Sequence, residues 1–141
     1  MDRCLQDELF AQARRLYDRL MASPQYDFDQ FKPSLLPKDE AGVYVIFLKE
    51  TGETLYVGRT KKLRRRLYTN HLMGSEANAR LKKYLKDDER LPYIRNLGEA
   101  KMFIKEHCAF RYLVEPDVVK RGRLEGLFAF LTSVRYIDEE H

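Results

Sequence analysis

The sequence predicts an α+β domain, a small and mainly antiparallel three-stranded sheet flanked by helices. Three observations support this. Two short runs, GVYVIFLK (42–49) and TLYVG (54–58), are rich in β-branched and aromatic residues and are separated by the turn ETGE. A third run, AFRYLVE (109–115), alternates apolar and polar residues. The segments around these runs repeat apolar residues at three- and four-residue spacing, the period of helices with one buried face.

Taken in order, residues 3–21 place Leu5, Leu9, Phe10, Ala13, Leu16, Leu20 and Met21 at helical intervals. Residues 22–40 contain Pro24, Pro33 and Pro37 and read as an extended connection that packs back through Phe28, Phe31, Leu35 and Leu36. The two strands of the hairpin follow, with Gly52 supplying a positive φ in the turn. Thr60 is a suitable cap for a helix over about 61–70, with Leu63 and Leu67 inward. A second helix is expected over 76–86, a loop around Pro92, a short helix over 98–107, and the third strand. Pro116 and Asp117 open a last helix through Thr132, with Leu124, Leu127, Phe128 and Leu131 inside. Residues 1–35 thus read as a helix and connection packed on the core, and 36–141 as the main domain.

At 141 residues the chain can bury one real core. Its 44% apolar and 34% charged residues are those of an ordinary globular protein. A net charge of +4 permits a nucleic-acid partner without requiring one. Its placement is more telling, because residues 59–66 hold six bases and no acid. Cys4 and Cys108 form no metal-binding pattern and suit a reducing compartment. With no long apolar stretch and no leader-like N-terminus, a cytoplasmic location and no membrane association are expected.

The basic run begins directly after Tyr56-Val57-Gly58. A glycine in a strand lets another group approach the backbone. A following helix N-terminus favours phosphate, and bases on its first turns add charge-assisted contacts. Tyr44 and Tyr56 lie on the hairpin that leads there, so a phosphodiester could be held.

These residues resemble the GIY-YIG endonucleases. Gly42-Val43-Tyr44 stands for the first triad and Tyr56-Val57-Gly58 for the second. Arg66 follows Gly58 by eight residues, at the offset of the family's arginine, and Glu125 in GRLEGLFAF stands for its late glutamate. The resemblance covers roughly 36–138 and implies DNA cleavage assisted by Mg2+ or Mn2+. It implies that Glu125 holds the metal, that Arg66 neutralises the scissile phosphate, and that Tyr44 and Tyr56 act on water and phosphate. The chemistry is coherent, since a hard cation takes carboxylate oxygen and a guanidinium forks onto phosphate. Gly58, Arg59, Lys61, Lys62 and Arg65 are expected phosphate contacts.

The resemblance makes a geometric demand. A two-residue turn at Thr51 and Gly52 would set Tyr56 against Phe47 and send the tyrosines to opposite faces. An odd-length loop or one bulge puts them on the same face, and this is the expectation. Two departures stand out. Many members have an asparagine twelve residues after the glutamate, where this chain has Ile137, with Asp138 expected to point elsewhere. Some members have a histidine after the arginine. His71 is five residues beyond Arg66, about 140° around an ideal α-helix, so Asn70 shares the arginine face better. His71 and Asn70 are both candidates. The alternative to a nuclease is a catalytically impaired nucleic-acid-binding module on the same fold. A further alternative is a protein-interaction domain whose basic helix faces an acidic partner, with the N-terminal helix packed on the core or on a second subunit in a homodimer.

Overall fold

The computed structural model describes residues 2–74 and 80–138. Its elements in chain order are α1 (Arg3–Ala22), β1 (Tyr26–Asp27), β2 (Gly42–Leu48), β3 (Thr54–Thr60) and a π-helix (Arg65–Leu72). These are followed by α2 (Arg80–Asp87), α3 (Leu97–His107), β4 (Cys108–Val114) and α4 (Val118–Leu131). The expected helix over 76–86 is seen from Arg80; its start lies outside the described residues. No described helix is long and apolar enough to cross a membrane.

The hairpin of β2 and β3 forms as the sequence predicts, with Gly52 at a φ of 77° in its turn. β2 is central, with β3 on one side and β4 on the other, both antiparallel. From Gly42 to Phe47 it is buried throughout, which accounts for its unbroken apolar run. β3 does not stop at Gly58 but continues to Thr60. The sheet also has four strands rather than three, in the order β1-β4-β2-β3. The extra strand is two residues long, too short to show a period in sequence. It is held beside β4 partly by Tyr26 stacking on Phe110, with ring centroids 5.2 Å apart.

The two faces of the sheet bury different sets of residues. One packs Tyr44, Ile46, Tyr56 and Phe110 against Phe28 and Phe31 of the connection and against the π-helix, α2 and α3. Leu36 is buried there as expected, whereas Leu35 is exposed. The other face packs Val43, Val45 and Phe47 against Leu124 and Phe128 of α4 and Leu20 of α1. Each fully buried Leu, Ile or Phe is worth about 1.5–3 kcal/mol before the entropy of ordering is counted. Leu127 is only half-buried, and Leu131, expected inside, is exposed as the last residue of α4. Beyond α4, Ser133 takes a φ of 51° and the chain turns back. The backbone N–H groups of Arg135 and Tyr136 then donate to the carbonyls of Thr54 and Leu55 at 3.0 and 3.1 Å, which covers the edge of β3.

Candidate active site

A bulge sets the geometry of the site. The register of β2 with β3 passes from Ile46 opposite Tyr56 to Phe47 opposite Thr54, leaving Leu55 as the additional residue. Leu55 and Tyr56, neighbours in sequence, therefore contribute to the same core. Tyr56 falls on the face of Tyr44, with the rings stacked 6.3 Å apart.

Gly58 sits directly across from Tyr44. A Cβ at Gly58 would lie 2.3 Å from the Tyr44 hydroxyl, closer than any real contact. The sequence suggested that this glycine admits a ligand. In the structure it admits the protein's own tyrosine, whose ring passes over the bare backbone.

The segment after β3 departs from the expected α-helix. Thr60 Oγ1 accepts from the N–H of Lys62 at 3.0 Å in a local turn, and helical structure starts only at Leu63. Over Arg65–Leu72 the helix is of the π type. Its i→i+5 repeat brings residues five apart onto one side. The 140° separation of Arg66 and His71 expected for an α-helix is thereby removed, and both reach Tyr44. Arg66 Nε donates to the Tyr44 hydroxyl at 3.2 Å, and His71 Nε2 lies 2.6 Å from the same oxygen. Asn70 instead joins Arg59, Lys61, Lys62, Arg65 and Arg66 around a shallow basic depression beside the cleft.

Burial controls the electrostatics of this inner wall. His71 is fully enclosed, and its pKa is well below the usual value, first through burial and then through the Arg66 and Lys82 cations. It is therefore neutral. The Tyr44 phenol is pushed up, first by burial and next by Tyr56, with Arg66 acting in the opposite sense. Tyr56 is also raised by burial. Because a guanidinium can only donate, Tyr44 accepts from Arg66, which leaves its own hydrogen free to be donated to His71 Nε2. His71 Nδ1 then carries the hydrogen and has no partner among the described residues.

The opposite wall comes from α4. Glu125 projects into a cleft of about 590 Å³ that Tyr44, Tyr56, Gly58, Arg59 and Arg66 also line. Its carboxylate is 4.0 Å from Arg59 Nε. Arg59 lies across α4 at Gly122, where an added Cβ would be 2.3 Å from Nη1. Burial raises the pKa of Glu125, and Arg59 opposes that rise.

Three lining residues went unsingled as cleft groups in the sequence. Arg80 and Tyr136 lack any local motif, and Asp138 was expected to point away. Asp138 in fact lines the cleft beside Ile137 and accepts hydrogen bonds from Arg80 and Tyr84. Tyr136 stacks on Tyr84 with centroids 5.1 Å apart, and its hydroxyl donates to Asp88 at 2.7 Å. The neighbouring Arg135 grips Glu53 with two bonds of 2.6 Å. Arg90 is the main reason the carboxyl of Asp88 is held down to about 2. These contacts fasten the C-terminal segment to β3 and α2 and so build one side of the cleft.

Among the described residues, no three His, Cys, Asp or Glu side chains gather into a metal cage. The donors in the cleft are carboxylate and phenol oxygens, with Glu125 the half-buried carboxylate. Such a set suits a hard divalent ion whose shell is completed by water and phosphate, and does not suit zinc. In comparisons with known proteins, a family model described as the GIY-YIG catalytic domain matches residues 40–112. No curated protein and no solved structure matches the chain significantly.

Proposed function

The chain belongs to the GIY-YIG catalytic-domain family, a family of nucleases, and on that premise we propose that it is a metal-dependent DNA endonuclease hydrolysing phosphodiester bonds. The single observation that carries the reading is Tyr44, held between Arg66 and His71 in a cleft that Glu125 enters from the opposite side. We read residues 36–141 as the unit that does the chemistry.

In this reading Glu125 holds a magnesium or manganese ion. When bound, the ion lowers the pKa of water and offsets charge on the phosphate. Tyr44 accepts a proton from the attacking water while its own proton passes to His71 Nε2 along the 2.6 Å contact. His71 is a poor base, because its buried imidazolium would stand beside Arg66. The transfer is therefore driven from the water side, and the imidazolium is short-lived. Arg66 supports the oxygen of Tyr44 and faces the cleft, where its guanidinium neutralises the scissile phosphate. Tyr56 orients phosphate or water. Arg59, Lys61, Lys62 and Arg65, with the backbone at Gly58, guide the strand along the basic depression that adjoins the cleft.

The test is cleavage of labelled duplex, single-stranded and branched DNA with Mg2+ or Mn2+, comparing the wild type with Glu125→Ala. Metal-dependent cutting by the wild type is expected, with loss on the order of a thousandfold or more in the variant. Undiminished cutting by Glu125→Ala sinks the assignment. A second reading rests on Ile137, an exposed apolar side chain on the cleft wall with no polar atom to offer. On that reading the chain binds nucleic acid in a salt-sensitive way and does not cut, and Ile137→Asn restores cutting.

A further inference from the structure

The N-terminal half of α1 stands away from the core. Every residue from Asp2 to Gln12 is exposed, and Leu20 is the only fully buried residue of this 20-residue helix. Phe10 is 75% exposed and Met21 41%. A half-helix of this length without tertiary contacts is marginal in water, and Leu5, Leu9 and Phe10 are all exposed along it, an apolar surface that a partner can cover.

The charges on the helix indicate which partner. Arg3, Asp7, Phe10, Arg14, Tyr17 and Met21 follow one another at intervals of four and three and share one stripe. Read about a midpoint between Phe10 and Ala11, the sequence is electrostatically self-complementary. On or beside the stripe, Arg3 mirrors Asp18 and Asp7 mirrors Arg14. A second α1 laid antiparallel on the first along this stripe therefore sets Asp7 against Arg14 and Arg3 against Asp18 at the stripe's edge, with Phe10 beside the two-fold axis, opposite Ala11. This is the self-matching surface that a two-fold interface requires. The mixed signs fit neither the backbone of a nucleic acid nor an anionic membrane, both of which select runs of bases. Arg14 and Asp18 form an exposed pair within one helix at 3.2 Å, a weak contact readily shared with a partner.

We propose that the chain forms a homodimer through antiparallel pairing of α1, with Phe10 at the centre and the Asp7–Arg14 and Arg3–Asp18 pairs on either side. The proposal is independent of the nuclease reading, since α1 packs on the sheet face opposite Tyr44 and touches none of the cleft residues.

Sedimentation equilibrium of the full chain, from micromolar to submillimolar concentration, tests it. The wild type is expected at twice the chain mass and Phe10→Asp at the chain mass. Asp7→Arg alone and Arg14→Asp alone set like charges opposite each other and are expected to be monomeric. Mixing those two variants, or combining both changes in one chain, restores opposite charges and is expected to restore the dimer. Because these positions touch nothing in the core, a retained cooperative melting transition confirms that the sheet and its helices are folded in each variant. A wild type that stays monomeric throughout overturns the proposal. So does a dimer indifferent to Phe10→Asp and to the charge reversals.

Discussion

The two walls of the cleft are built in opposite ways. At the inner wall Tyr44, and His71 which meets its hydroxyl without lining the cleft, are buried, and burial holds both groups in their neutral forms. The outer wall, with Glu125, Arg59 and Asp138, is half-exposed and charged. A group whose proton must travel in one direction gains from a fixed partner and a dry surround. A group that must exchange a protein cation for a metal or a phosphate gains from being only loosely paired. The contrast predicts that substitutions inside cost both stability and activity, whereas those outside cost activity or binding alone.

Tyr44→Phe should show the largest combined effect. It removes the oxygen that joins Arg66 to His71, and cleavage should fall by about 10²–10⁴-fold. Unpairing the buried His71 Nε2 should also cost about 1–3 kcal/mol in urea unfolding. Normal cutting by this variant would separate Tyr44 from the chemistry.

Gly58→Ala should act through Tyr44 although it adds only a methyl group. The added carbon overlaps the phenol, which is packed on all sides, so the ring or the strand must shift at a cost of about 1–3 kcal/mol. Cleavage should decline in parallel with the displacement. Unchanged stability would show that the ring is free to move aside.

The neutrality of His71 makes a pH prediction whose sign is fixed. Its folded-state pKa lies below the unfolded value of about 6.5, so the unfolded chain binds the proton more readily. Above that pH His71 contributes no slope. As pH falls below it, stability should drop by about 1.4 kcal/mol per unit, or roughly 2 kcal/mol by pH 5, until the folded pKa is reached. His71→Gln should flatten this part of the curve. An equal slope in the variant would assign it to other groups.

Lys62→Ala, on the exposed basic depression, should give the smallest effect. Folding should be unaffected, and the dependence of DNA affinity on salt should weaken by about one phosphate contact. A variant with an unaltered salt slope would remove Lys62 from the path of the strand.

Much of this architecture was legible because it depends on residue type. The β-branched and aromatic run of β2 announced a strand, and Tyr56-Val57-Gly58 followed by bases announced where to look. The requirement that Tyr44 and Tyr56 share a face implied an odd-length loop or a bulge, and the structure has a bulge, at Leu55. The parts that were not legible depend on backbone geometry or on distance along the chain. Nothing in RRLYTNHL marks a helix wound more widely than usual, so Asn70 was ranked above His71. Arg80 and Asp138 lie far apart in sequence and meet only when the C-terminal segment folds back along β3. Exposure of the first half of α1 was equally hidden, since its apolar spacing is that of an ordinary amphipathic helix.

The π-helix bears on how this segment is compared with others. Winding five residues to each hydrogen-bonded step accommodates one residue more than an α-turn would. In an alignment it therefore behaves as a single-residue insertion that leaves both ends of the helix in place. An α-helical offset of four counted from Arg66 falls on Asn70 and misses the neighbour of Tyr44, which is His71. Deleting one residue between Arg66 and His71 would turn an i+5 relation into an i+4 relation and let an ordinary α-helix present the same pair. In this chain the spacing of these two residues and the winding of the backbone between them are coupled.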